Sequence, residues 1–194
     1  MKSTDTSEQG LESLIVAALV NQAGYLPGDP KDYDRDHALD LTHLRAFVEA
    51  TQPKAAEALD LNAESPRRLQ FLHRLQGEIA KRGIIDVLSG GIKHGLVTLD
   101  LFFGTPSPGN AKAAERFAAN RFSVTQQLRY SKDETQLALD LGLFINGLPV
   151  ATFELKNRLT KQTVADAVQQ YQRDRSPKEL LFQFGRCLVP MCSH

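Results

Sequence analysis

The sequence predicts an α/β domain with a mixed central β-sheet flanked by helices and a helical N-terminal part. Three observations predict it. Apolar residues recur with helical period through residue 82, runs of strand length follow from about residue 84, and a late helical stretch crosses to a last apolar run. With 194 residues, 42% hydrophobic and 24% charged, the chain has the size and composition of one globular domain, with or without a helical appendage.

Thr6 to Gln9 has capping-box spacing, and behind it Leu11, Leu14, Ile15, Ala18 and Leu19 make one helical face that ends near Gly24. Glu8 and Glu12, four apart on this helix, read from periodicity alone as its solvated flank. After the turn-rich "GYLPGDP", residues 38–82 read as two or three helices separated by Pro53 and Pro66. Strands are then expected at "IIDVL", "LVTLDLFF", "FSVTQQLRY" and "QLALDLGLFI". "LSGGIKHG" reads as a glycine-rich turn between strands and "TPSPGN" as a loop. Residues 163–175 are helical again, with Val164, Ala167, Val168 and Tyr171 on one face, and "LLFQFGRCLV" is the expected final strand. The expected division is 1–83 for the helical part, including the first helix of the core fold, and 84–194 for the core.

No apolar stretch approaches the roughly 20 residues of a membrane span. "LESLIVAALV" is short, its flank is acidic, and no small-residue cleavage site follows, so a cytoplasmic protein without a membrane partner is expected. Cys187, Cys192 and His194 are too loosely spaced for a metal cluster and read as incidental. The zero net charge hides an asymmetry. Residues 1–65 hold 12 Asp/Glu against 5 Lys/Arg, which leaves 11 against 18 in residues 66–194, the anion-facing part. Lys112, Arg116, Arg121, Arg129 and Lys132 form one cationic run; Lys156, Arg158, Lys161, Arg173, Arg175 and Lys178 form another. Taken alone, each fits solvated cations as well as a phosphate-contacting surface.

The chemistry is concentrated in "LDLGLFINGLPVATFELKN". Glu154 and Lys156 stand two apart in a strand and share a face, which as bare geometry is a salt bridge or part of a site. A third group, Asp140, lies in the preceding strand, and the turn decides its direction. A two-residue loop Asn146-Gly147 with regular pairing turns Asp140 away from Glu154. A three-residue loop Ile145-Asn146-Gly147, with Gly147 left-handed, sets Asp140 opposite Thr152 and diagonal to Glu154, about 7–8 Å away between backbones. The second register is expected. Carboxylates on adjacent strands suit Mg²⁺, which takes oxygen ligands and keeps several waters. The resulting D-x13-E-x-K pattern describes metal-dependent phosphodiester hydrolysis, with Lys156 beside the charge that develops.

These residues, together with "GIIDVLSGGIKHG", "NRFSVTQQLRYS" and "LTKQTVADAVQQYQRDRSPKELLFQFGRCLV", resemble the N-terminal nuclease region of the restriction (R) subunit of type I restriction-modification enzymes. That region is a member of the PD-(D/E)xK superfamily, and the resembling runs cover most of residues 80–189. The resemblance implies a restriction-endonuclease-like fold and Asp140, Glu154 and Lys156 as the nuclease triad. Glu12 matches an acidic position that can join Asp140 and Glu154 at the metal. It implies Mg²⁺ as cofactor, double-stranded DNA as substrate, and methyltransferase and specificity subunits as partners. Arg121, Arg129, Lys132, Arg158, Lys161 and Arg173 would contact the DNA backbone, giving sequence-neutral binding.

Three departures stand out. Leu139 precedes Asp140 where the superfamily's name has proline. Ala167 stands four before Tyr171, so the Q-x-x-x-Y motif is not intact and Gln170 is the substitute candidate for supporting Lys156 beside Tyr171. No G-x-x-x-x-G-K-[ST] loop occurs, so ATP is expected to act only through translocase domains absent from this chain, which would be an excised domain or a truncated product. Two other readings share these residues: a non-catalytic docking or DNA-binding fragment of the R subunit, and a stand-alone repair nuclease of the same superfamily.

Overall fold

The computed structural model describes residues 8–133, 136–155, 169, 176 and 178–193. Its centre is a five-stranded mixed sheet of β1 (Leu26–Gly28), β6 (Phe122–Arg129), β7 (Ala138–Ile145), β8 (Leu148–Leu155) and β9 (Val189–Ser193), in that spatial order. β6, β7 and β8 form an antiparallel meander, and the outer pairs β1–β6 and β8–β9 are parallel. A parallel pair requires a crossover connection. Most of the β8–β9 connection lies outside the described residues, including all but Gln169 of the helix expected over 163–175.

Helix α1 (Glu8–Ala23) closes one face of the sheet. Its Leu11, Ile15, Val16, Leu19 and Val20 pack on a buried cluster of Val124, Leu141 and Leu155. The stripe is rotated from the expected one: Leu14 is exposed and Glu12 is buried. Gly24, at φ +73, ends the helix, and the Tyr25 N–H returns to the Leu19 carbonyl at 3.0 Å. Leu143 and Phe144, adjacent in β7, point to opposite faces, and Phe144 joins Tyr33, Leu128, Leu139 and Leu181 in a second cluster.

The largest cluster belongs to the helical part. Asp40 caps α2 (Leu41–Thr51) by accepting from the His43 N–H at 2.9 Å. Pro53 opens α3 (Pro53–Leu59), and Ser65 with Pro66 opens α4 (Pro66–Arg82), so the two prolines start helices as their fixed φ favours. One expected strand is a helix, and a second is a strand only in part. "IIDVL" lies in α5 (Ile84–Gly90), where Ile84, Val87 and Leu88 are buried and Ile85 exposed, a helical spacing in a segment too short to show its period. In "LVTLDLFF" only β5 (Val97–Leu99) pairs, with β4 (Ile92–His94). Beyond it side-chain amides replace the ladder: Gln52 bonds both backbone groups of Asp100, and Asn120 both of Phe103. "TPSPGN" is a loop that leads into α6 (Ala111–Ala118).

The final strand is also displaced. "LLFQFGRCLV" forms a 3₁₀ turn at Leu180–Phe182 and irregular chain, and pairing begins only at Val189. Gly185, at φ +78, breaks the run and presents its carbonyl to the Ile84 N–H at 2.6 Å. The short β2 (Tyr33–Asp34) and β3 (Leu39–Asp40) pair with each other.

The helical part and the sheet meet at the β7–β8 turn. Asn146 and Gly147, at φ +50 and +83, make a two-residue turn with both residues left-handed. Asn146 is fully buried: its side chain accepts from the Arg121 N–H and donates to the Leu101 carbonyl and to Asn120. Gly147 accepts from the Asp40 N–H at 2.8 Å, and a Cβ on it would lie 2.3 Å from the Asp40 carbonyl oxygen. Gly147→Ala is therefore expected to cost more than about 2 kcal/mol by chemical denaturation, since strain and collision add. Gly95→Ala, at φ +60 but in open space, should cost only about 1 kcal/mol. Equal losses would show that the junction contributes nothing beyond backbone strain.

Candidate active site

The register of β7 and β8 differs from the expected one in its route but not in its result. The two-residue turn pairs Ile145 with Leu148 and Phe144 with Pro149. The register then shifts, because Leu143 pairs with Ala151 and leaves Val150 as an extra residue in β8. The cause is in the chain. β8 is an interior strand, Pro149 has no N–H for its ladder, and proline enters such a strand only at an irregularity. The Val150 carbonyl turns to the Leu188 N–H instead, at 3.0 Å. Beyond the bulge Gly142 pairs with Thr152 and Leu141 with Phe153, and continuing by one residue sets Asp140 level with Glu154. Directly opposed residues share a face. The expected Gly147 bulge and the Asp140–Thr152 pairing are thus replaced by a tight turn, a bulge at Val150 and a closer carboxylate pair.

Glu154 is 4% exposed and Asp140 half-buried. Asp140 also finishes the ladder, since its Oδ2 accepts from the Leu155 N–H at 2.5 Å. On its other side the ladder continues to β6, where Gln126 pairs with Leu141 and Leu128 with Leu139, bracketing Gln127 against Asp140. Gln127 has φ +49, a left-handed backbone rare for a residue with a side chain. Val124 packs with α1 and Leu128 with the second cluster, although they are an even number of residues apart; Leu141 and Leu139 divide in the same way. Both strands therefore change face at Gln127 and Asp140.

Glu12 reaches this place from α1. Both its carboxylate oxygens accept from Gln127 Nε2, at 2.9 and 3.0 Å, and the carboxylate is 4% exposed. The residue expected on a solvated flank is thus buried. Among the described residues no three His, Cys, Asp or Glu side chains converge as a group that could hold a metal. The oxygen donors present are a pair, Asp140 and Glu154, with Glu12 tied to the neighbouring strand. Two carboxylates fit a Mg²⁺ ion that keeps several waters.

Lys156, Gln170, Tyr171, Arg158, Lys161 and Arg173 lie outside the described residues. The remaining cations divide by environment. Arg121 is half-buried and donates Nε–H to His43 Nδ1 at 3.2 Å, at the junction of the helical part and the sheet. Arg129 is exposed on β6. Lys132 is exposed and pairs with Asp36 at 2.5 Å. Arg116 lies over the Phe103 ring, 4.2 Å from its centroid, and pairs with Asp100. Cys187 is half-buried and forms no disulfide among the described residues. Gln127 was missed by sequence reasoning, because a polar residue in a strand carries no mark of a left-handed backbone.

The mixed sheet with its flanking helices is the architecture of the restriction-endonuclease-like class. The chain matches the model of the type I restriction enzyme R protein N terminus over residues 5–191, and it belongs to that family. It is also 32% identical over 80 residues to a putative type I restriction enzyme MjaIXP endonuclease subunit of Methanocaldococcus jannaschii. That match covers 41% of this chain and 7% of the relative, so the chain corresponds to a small part of the longer protein. Among the described residues no helix is long and apolar enough to cross a membrane.

Arg121→Ala is expected to lower stability by about 1–2 kcal/mol in urea denaturation, because it breaks a partly buried hydrogen bond at the junction. Arg129→Ala should change stability by less than about 0.5 kcal/mol. A loss at Arg129 as large as that at Arg121 would remove this distinction between structural and surface cations.

Proposed function

We propose that this chain is a Mg²⁺-dependent endonuclease domain of a type I restriction R subunit, hydrolysing phosphodiester bonds of double-stranded DNA. The carrying observation is the register: in a chain of this family, the bulge at Val150 brings Asp140 level with Glu154 at the place where the ladder opens. In this reading Asp140 and Glu154 hold the ion, and Lys156 offsets charge developing on the phosphate. The bound ion would supply Lewis-acid polarisation of the phosphate and a more acidic water. A water oxygen would form the new bond to phosphorus while its proton passes to solvent, and the bond from phosphorus to the leaving 3′ oxygen would break, that oxygen taking a proton from solvent. Asp140 is doubly employed, with one oxygen on the Leu155 N–H, so its direction is fixed before any ligand arrives.

Cations outside the carboxylate pair would contact backbone phosphates. Arg129 is the best placed among the described residues, because it is exposed and lies two residues beyond Gln127 on β6. Such contacts are sequence-neutral and weaken with salt. Site recognition would belong to a specificity subunit, with methyltransferase subunits completing the assembly. ATP would act through translocase domains of the longer polypeptide.

The test is nicking of supercoiled plasmid in Mg²⁺, read together with Mn²⁺ binding by calorimetry. Asp140→Ala and Glu154→Ala are expected to weaken ion binding and to cut nicking by about 10²-fold or more. Lys156→Ala should abolish nicking and leave DNA retention largely intact. A folded wild-type chain that binds no divalent ion, and loses no stability when the three residues become apolar, would instead be a docking fragment.

A further inference from the structure

We propose that the outward face of α4 is a second contact surface for nucleic acid, on which a row of cations around a bare glycine lies against the phosphodiester backbone of a duplex. The proposal goes beyond the nuclease reading: it shares duplex DNA with that reading but needs neither the carboxylate pair nor a metal ion.

The face is defined by spacing. Arg67, Gln70, Arg74, Gly77 and Lys81 follow one another at intervals of three, four, three and four residues, so they form one line along the helix. All five are exposed, while Phe71, Leu72, Leu75 and Ile79 on the buried side belong to the core of the helical part. Arg67, Arg74 and Lys81 stand seven residues apart, which spreads them over about 20 Å of helix. The line holds no acid, and α4 as a whole carries five Lys/Arg against one Glu. That Glu78 is largely buried and pairs with Arg74 and Arg82, and the Arg74 side chain stays 54% exposed in the pair. Arg67 and Lys81 form no ion pair among the described residues.

Gly77 points to a partner independently of charge. Glycine in an exposed helix interior costs stability relative to alanine, and its use is to let something approach the backbone closely. Among the described residues nothing requires it: its backbone is ordinary helix, and a Cβ on it would meet no atom within 4 Å. The space it leaves open faces outward between Arg74 and Lys81. Two facts decide the occupant. A protein partner buries an apolar centre in its interface, and this line has no apolar side chain, the exposed Leu69 falling outside its spacing. A duplex offers a phosphate about every 1.7 Å of its axis, so the row meets several whatever the base sequence.

The test measures binding of a fluorescein-labelled DNA duplex of mixed sequence by anisotropy, in EDTA and over a range of salt concentrations, with melting temperatures alongside. EDTA removes metal and cutting, so the outcome is independent of the nicking experiment. Arg67→Gln with Lys81→Gln should weaken binding about 10-fold or more at about 0.1 M salt, and lower the slope of log affinity against log salt by about 2, one for each lost phosphate contact. Lys31→Gln with Lys54→Gln removes the same charge from exposed positions on other elements and should change affinity by less than about twofold. Gly77→Leu, which leaves every charge in place, should melt at or above the wild-type temperature and still bind the duplex several-fold more weakly, with Gly77→Ala between.

A wild-type chain that retains no duplex at low salt overturns the proposal, as do equal losses in the two double variants, which would reflect net charge alone. Undiminished affinity in Arg67→Gln with Lys81→Gln, or in Gly77→Leu, also overturns it and leaves this face to solvent or to an acidic protein. The carboxylate pair is untouched by each of these results.

Discussion

The structure depends on one buried turn. Asn146 and Gly147 are at once the hairpin loop of β7 and β8 and the bolt between the sheet and the helical part. Asn146 ties β6, the segment at Leu101 and Asn120 together through one side chain, and Gly147 lies against the first turn of α2 too closely for any other residue. A solvent-facing hairpin could change its loop length at modest cost. This one cannot, because a different loop would leave the donors and acceptors of Asn146 buried and unpaired. The turn therefore fixes the register of β7 and β8, and the register fixes where the two carboxylates stand.

Given that turn, regular pairing alone would set Asp140 and Glu154 on opposite faces, and Pro149 is what prevents it. Proline cannot donate to the ladder of an interior strand, the strand accommodates it with an extra residue at Val150, and one extra residue restores the shared face. A second irregularity, the left-handed Gln127, lies two strands away from Glu154 and level with Asp140. Polar groups collect between these two breaks because a disrupted ladder leaves backbone donors unpaired, as at Leu155, whose N–H takes the Asp140 carboxylate instead. A regular sheet has no such openings. The candidate site thus occupies the place where the strands stop obeying the ladder.

This explains what could be read from the sequence. The helices around Pro53 and Pro66 and the strands β6 and β7 were legible because their signals are local: a cap, a proline at a helix start, an alternation. "IIDVL" was misread because five apolar residues are compatible with either period, and the neighbour that decides, Gly185, is a hundred residues away. "LVTLDLFF" and "LLFQFGRCLV" were misread because side-chain amides and a left-handed glycine replace strand pairing there. That Asp140 and Glu154 share a face was expected for a partly wrong reason, since the expected partner of Asp140 was Thr152, although both correct signals were present. Asn-Gly is the strongest mark of a two-residue turn, and Pro149 marks the bulge. Glu12 was named beside these carboxylates only through family resemblance, and its burial was not legible because its helical position looks solvated until the sheet is set beneath it.

The carboxylates themselves separate structure from function. Asp34 and Asp40 are held by neighbours three residues away. Burial would raise the Asp34 carboxyl, but the His37 hydrogen bond and charge hold it below its usual range, while burial pushes the Asp40 carboxyl up against the cap it makes with His43. Each is understood from its own loop or helix end, and each would be needed in a protein without any activity. Glu12 answers to Gln127, 115 residues away, and Asp140 to Leu155 across the hairpin. Neither caps a helix or closes a loop of its own. Both carboxylates are placed by long-range contacts, beside a left-handed residue and a bulge. A proposed cation site therefore falls to Asp140 and Glu154 rather than to Asp34 or Asp40.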